Sequence, residues 1–201
     1  MKKLLLAAFL FAAACAARAQ DLDRPLLLVA APDLQGLYSR TALLVVPAAG
    51  GQHIGFIINR ATDVKMATLF PEHAPSAKVF DPIYFGGPEM IGSIFAIVRR
   101  DPGVPAMHLF GDLFVTGNGA AVDRIIEKTP NDARYFAGFV GWLPGELASE
   151  IERGLWYVTK PDSSLVFSRD TSGMWQQLVK RLGNSPRPLR GPGQLETRLN
   201  P

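Results

Sequence analysis

Three short stretches of the chain concentrate side chains able to hold something. Asn59-Arg60 sets a planar amide beside a guanidinium, whose fork of donors matches a carboxylate or a phosphate. Gly86-Gly87-Pro88, following Tyr84-Phe85, opens backbone conformations closed to other residues and then fixes a turn. Gly141-Trp142-Leu143-Pro144-Gly145-Glu146 turns an extended run sharply into a helix, with Trp142 at the corner. Asn59, Arg60, Gly86, Gly87, Trp142 and Glu146 are therefore the candidate ligand-binding residues, for a small anionic ligand or a partner protein. The structural alternative is that Arg60 pairs with Glu89 or Glu146 and simply braces the fold.

Catalytic chemistry finds less support. His53, His73 and His108 fall in no HxH, HExxH or HxxxH spacing, so no local metal set is written. No G-x-S-x-G elbow occurs. The only cysteine is Cys15, which lies in a segment expected to be removed. A hydrolase would have to gather a carboxylate and a histidine from distant positions, and this is the alternative function. Gly117-Asn118-Gly119 follows a strand and precedes a helix, the setting of a dinucleotide phosphate loop. Val122 at the sixth position, and the next strand, 134–140, ending in Gly141-Trp142 without an acidic residue, favour a turn with Asn118 at the helix cap instead. Glu146 and Glu150 stand one turn apart on one face, a repulsion of about 0.2–0.5 kcal/mol when both are ionised. Glu146 sits in the first turn, where the helix dipole favours an anion. No catalytic residue, metal ligand or cofactor is assigned.

Charge and hydropathy bound the setting. The 201 residues are 48% hydrophobic and 19% charged, with a formal charge of +3. Met1-Lys2-Lys3, the apolar run from Leu4 to Ala14, and Ala17-Arg18-Ala19 form the three-part layout of a secretory signal peptide. An 11-residue run is too short for a membrane-spanning helix, which needs about 20. Lys2, Lys3 and Arg18 all lie in that segment, and without them 18 basic residues balance 18 acidic ones. A nucleic-acid footprint is not supported. Cleavage near Ala19 would release a thiol-free protein into a periplasm. A lipoprotein anchored at Cys15 is the minor alternative. Residues 184–201 hold four prolines and two glycines without periodic apolar residues, and are expected to be a flexible tail.

The elements that must position the three stretches follow from periodicity. Residues 26–31, 41–47, 53–59, 79–85, 93–99, 113–116, 134–140, 155–159 and 165–168 read as strands, with a hairpin across Ala48-Ala49-Gly50-Gly51. Residues 120–128, 144–153 and 172–182 read as helices. The second of these starts at a proline and stops at Gly154. Strands outnumber helices and come in consecutive runs, so the expected class is α+β with a largely antiparallel sheet. The organisation expected is a signal peptide over residues 1–19, a single domain over 20–183, and a tail over 184–201.

The order of the motifs carries a resemblance. Gly55-Phe56-Ile57-Ile58-Asn59-Arg60, then Tyr84-Phe85-Gly86-Gly87-Pro88-Glu89, then Phe139-Val140-Gly141-Trp142-Leu143-Pro144-Gly145-Glu146-Leu147 with Glu150-Ile151 and Trp156, followed by the Trp175 helix and Gly183, resembles the YqgE/AlgH family of bacterial proteins. The resemblance spans residues 34–183. It departs from the family pattern at Ala61, where proline is usual, and at Leu143 and Glu146, where glycine and glutamine are usual. The family is typically cytoplasmic, so the signal peptide is a further departure. The resemblance implies sheets curled into a partial barrel with helices packed outside, and a function that is not established. One member's name is tied to transcriptional control, a role closed to an exported chain. The expected function is a non-enzymatic, exported binding or interaction module.

Overall fold

The computed structural model describes residues 21–183; the expected signal segment, Cys15 and the 184–201 tail lie outside the described residues. Among the described residues nine strands form one curled sheet. In chain order they are β1 (Leu26–Ala30), β2 (Ala42–Pro47), β3 (His53–Ile57), β4 (Tyr84–Phe85), β5 (Glu89–Arg99), β6 (Met107–Phe110), β7 (Leu113–Thr116), β8 (Ala133–Trp142) and β9 (Trp156–Thr159). The spatial order is β6-β7-β5-β8-β3-β2-β1-β9, with β4 beside β8. Every pairing between these strands is antiparallel except β4 with β8. The helices are α1 (Met66–Leu69), α2 (Gly119–Lys128), α3 (Glu146–Glu152), α4 (Ser163–Val166) and α5 (Met174–Gly183). This is the expected α+β half-barrel in a single domain.

β1 and β2 are apolar on both faces because both are covered. On one face Leu27, Val29, Leu44 and Val46 pack with Phe56, Phe136 and the α5 residues Met174 and Leu178. On the other, Leu28, Leu43 and Val45 meet Trp142, Leu147 of α3 and Trp156. A third cluster joins Val122, Ile125 and Ile126 of α2 to Ala96 and Val98 of β5 and Tyr135 of β8. The 3.6-residue spacing of apolar side chains in α2 supplies that contact.

β8 turns the curl. Its first half pairs with β5 and its last three residues pair with β3. The register with β5 breaks at Gly138, whose φ of +69° is left-handed, and the change of partner follows at Val140. Where the two strands splay, Gly86 fills the gap: its N–H donates to the Ala137 carbonyl and its own carbonyl accepts from Ile57 N–H, both at 2.9 Å. A Cβ on Gly86 would lie 2.2 Å from the Gly138 carbonyl oxygen, and one on Gly87 2.2 Å from Phe139 backbone atoms. Two backbones cross here at a distance that excludes side chains.

Three expectations are corrected. Residues 165–168 are not a strand. Asp162 accepts from Ser164 N–H at 2.9 Å and caps α4 instead. Of residues 79–85 only Tyr84–Phe85 is extended, because a 3-10 turn with proline near its start precedes it. β6 was not anticipated; only four residues separate Pro105-Ala106 from the Gly111-Asp112 turn. By contrast, Asn118 caps α2 as expected, accepting from Ala121 N–H at 3.1 Å.

Candidate functional site

The tryptophan corner is organised around one carboxylate oxygen. Trp142 Nε1–H and Trp156 Nε1–H donate to the same Glu150 Oε2, at 2.9 and 2.8 Å. Trp142 ends β8, Trp156 begins β9, and α3 between them presents Glu150 a turn beyond Glu146. Both indoles are buried, so their N–H groups need a partner inside the fold. Gly145, at φ +85°, lets the chain enter α3 but offers no capping side chain. Glu146 compensates: its Oε2 accepts from Leu143 N–H at 2.8 Å. The two glutamates that repel as a sequence pair thus each have their own donors.

Tyr38 completes this corner from a distant loop. Its ring stands edge-on to Trp156 with centroids 6.1 Å apart. Burial, and then the charges of Glu150 and Glu89, push its phenol pKa above the ordinary tyrosine value. Tyr38, Trp142, Pro144, Glu146, Ser149 and Glu150 line a cavity of about 430 Å³, within the size range of small-ligand sites. Arg153 stands at its edge as the only cation in the lining.

The six predicted residues divide by role. Trp142 and Glu146 line the cavity. Arg60 does not pair with Glu89 or Glu146: its guanidinium donates to the Leu37 carbonyl at 2.7 Å and the Ser39 carbonyl at 3.3 Å. It also lies 5.8 Å from the centre of the Phe85 ring. Burial lowers its pKa from the usual value. Arg60 therefore grips the residues on either side of Tyr38. Asn59 works next to it. Its Oδ1 accepts from Ala42 N–H at 2.8 Å and its Nδ2–H donates to the Arg40 carbonyl at 3.0 Å. This side chain continues the ladder to β2 after β3 has ended. Gly86 and Gly87 form the backbone crossing beneath β8. The arginine, glycine and tryptophan bends thus meet through Phe85, which packs in the same cluster as Tyr38, Trp142 and Trp156.

Sequence reasoning missed Tyr38, Ser149 and Arg153 in the lining, and the double-acceptor role of Glu150. The signal for Glu150 was present, since it stands on a short helix between two tryptophans.

The histidines are engaged elsewhere. His53 Nε2 lies 2.9 Å from the Leu22 carbonyl, and His108 Nε2 3.0 Å from the Gly111 carbonyl. His73 Nδ1 is 2.8 Å from Ser76 Oγ, but Ser76 is fully buried and lines no cavity described here. Among the described residues, no three His, Cys, Asp or Glu side chains gather as a metal set.

Comparison with known proteins agrees with this architecture. The profile of the AlgH-like family matches residues 27–187. A UPF0301 protein of Parabacteroides distasonis is 31% identical over 164 residues, covering 79% of this chain and 82% of that one. The crystal structure of a Corynebacterium diphtheriae protein superposes with a TM-score of 0.65 at 26% identity, over 84% of this chain and 91% of that one. The solution structure of the AlgH protein from Pseudomonas aeruginosa gives the same TM-score of 0.65 at 21% identity, over 81% and 89% of the two chains. With the profile covering most of its length, this chain belongs to the AlgH-like family.

Proposed function

We propose that this chain is an exported, non-enzymatic binding module whose ligand site is the cleft at the tryptophan corner. The observation that carries this reading is the convergence of Tyr38, Trp142, Glu146 and Glu150 on one polar cavity, held in place by Arg60 from behind. An aromatic floor with buried N–H groups already satisfied is a rigid surface, and rigidity lowers the entropy lost on binding. What supports holding over hydrolysis is that His53 and His108 contact the Leu22 and Gly111 carbonyls and His73 contacts Ser76, instead of Glu146, Glu150 or Ser149.

The chemistry of the occupant follows from what remains available. Arg60, the cation of the expected anion site, already donates to two carbonyls. Glu146 and Glu150 line the cleft and Glu89 lies near enough to raise the Tyr38 pKa, against one guanidinium at Arg153. A basic segment of a partner protein fits this balance better than an anion does, with a lysine or arginine over the aromatic floor. Export is supported by the three-part N-terminal layout.

Trp142 and Trp156 make the cleft its own reporter. Titration of the mature protein with a short arginine-rich peptide is expected to change tryptophan emission saturably, and Glu146→Gln is expected to weaken binding several-fold. Tighter binding of a matched acidic peptide would reverse the assignment of charge. A cell-purified protein that starts at Met1 instead of near Gln20 would remove the exported setting.

A further inference from the structure

A second polar cavity, of about 370 Å³, lies between the β5–β6 loop and α2. Its lining includes four cations, Arg99, Arg100, Arg124 and Lys128, and two carboxylates, Asp101 and Asp132. Arg99 is committed: it donates to Asp112 Oδ2 at 2.8 Å and stacks over Phe167 at 4.7 Å. The other three cations form no ion pair among the described residues, whose pairs involve only Arg24, Arg99 and Arg134. Asp101 is turned to its own loop, accepting from Gly103 N–H at 2.9 Å. Asp132 is exposed.

Two of these positions carry a local cost that packing does not explain. Arg124 and Lys128 stand one turn apart on α2 as like charges, an unfavourable spacing. The negative end of the helix dipole accounts for Lys128 in the last turn. It does not account for Arg124 a turn earlier, nor for Arg100, which comes from a different element. Arg100 also adopts φ +70°, a left-handed conformation that non-glycine residues avoid, while its N–H bonds the Asp112 carbonyl. The turn needs that backbone shape, and glycine would supply it more cheaply. An arginine there brings a guanidinium to the cavity.

We propose that this cavity binds a compact multivalent anion of the phosphate-ester class, with Arg100, Arg124 and Lys128 as its ligands. Two guanidinium forks match phosphate oxygens two at a time, and the lysine adds a point charge. Arg100, Arg124 and Lys128 outnumber the carboxylates of Asp101 and Asp132, and the attraction of that positive excess grows with the charge of the anion, so selectivity runs toward a dianion or higher. The cavity leaves room for a small organic group on the phosphate.

The test uses the purified chain, inorganic pyrophosphate as probe, and amide chemical-shift mapping at low salt. Saturable shifts confined to residues 99–104 and 124–132 are expected. The double variant Arg124→Gln/Lys128→Gln, altered only on an exposed helix face, is expected to lower the affinity at least tenfold. Lys160→Gln, an exposed cation outside the cavity, should leave it unchanged. Arg100→Gly supplies a readout that a structural arginine would not give: its Tm is expected to equal or exceed that of the parent while pyrophosphate binding weakens. Absence of saturable shifts, shifts centred on the Trp142 cleft, or equal weakening by Lys160→Gln would each overturn the site. So would an Arg100→Gly variant that is destabilised yet binds unchanged.

Discussion

At the tryptophan corner one carboxylate oxygen of Glu150 faces two indole N–H groups, and one guanidinium, Arg60, faces two peptide carbonyls. At the α2 cavity, Arg100, Arg124 and Lys128 line one space without an ion-pair partner among the described residues. The corner fixes its charges with neutral dipoles, which orient a group without cancelling its field. The cavity leaves its cations to solvent, where they hold no geometry but remain free to act. An arginine in a recognisable motif is therefore poor evidence for an anion site. Arg60 reads in the sequence as either a ligand-binding group or a brace, and its guanidinium donates to two carbonyls; Arg124 and Lys128 stand out in no sequence motif.

The contrast implies that the corner tolerates far less change than the cavity loop. Gly138 and Gly103 both have left-handed φ, at +69° and +63°. A Cβ at Gly138 would come within 2.3 Å of the Gly87 carbonyl oxygen, while one at Gly103 would meet nothing within 4 Å. Gly138→Ala is expected to cost about 3–5 kcal/mol, conformational strain plus overpacking against backbone that cannot retreat. Gly103→Ala should cost only the strain, about 1–2 kcal/mol. Urea unfolding of the two variants isolates the steric part, and equal costs would mean the crossing is looser than drawn.

Next in size is Glu150→Leu. It leaves two buried indole N–H groups without acceptors, at about 1–3 kcal/mol each before relaxation. Glu150→Gln keeps an acceptor oxygen and should recover about half of the loss. A leucine variant as stable as the parent would show that solvent reaches both indoles. Arg60→Ala comes third, at about 1–2 kcal/mol for two hydrogen bonds, one exposed and one part-buried. Its distinctive effect is on Tyr38, whose ring should lose its fixed contact with Trp156 in an NMR exchange experiment, while residues 99–104 stay unshifted.

The smallest expected effect concerns Asp112. The hydrogen bond from Arg99 holds its carboxyl below the usual aspartate range. Because the folded pKa is depressed, the contact persists above the ordinary aspartate pKa and is lost only as pH falls through the lowered value. Carboxyl NMR titration should place the Asp112 midpoint below the ordinary aspartate value, and Arg99→Gln should raise it. A normal midpoint in the parent would add Arg99 to the uncommitted cations and enlarge the anion site.

Local signals in the sequence predicted local structure well. Asn118 between two glycines announced the α2 cap, and Gly154 announced the end of α3, where its φ is +74°. Short runs rich in β-formers located most of the sheet. What was illegible depends on reach. Tyr38 sits in an aperiodic loop and joins the cleft only because Arg60 holds the carbonyls before and after it. Arg100 and Arg124 belong to a loop and a helix, and neither pattern says that they share a cavity. Residues 165–168 failed for the opposite reason: a short apolar run looked extended, and the Asp162 cap just before it was the stronger signal.

The placement of β1 has a kinetic consequence. This first strand is flanked by β2 and by β9, the last strand, and the carbonyl of its Ala30 accepts from Trp175 Nε1–H at 2.9 Å, 145 residues further on. The ribosome must therefore deliver nearly the whole domain before its opening strand gains a second neighbour. Closing so long a loop late slows folding, and until then β1 has only β2 beside it. The edge of β1 that β9 covers in the folded domain therefore stays unpaired until the last of the described strands has been made.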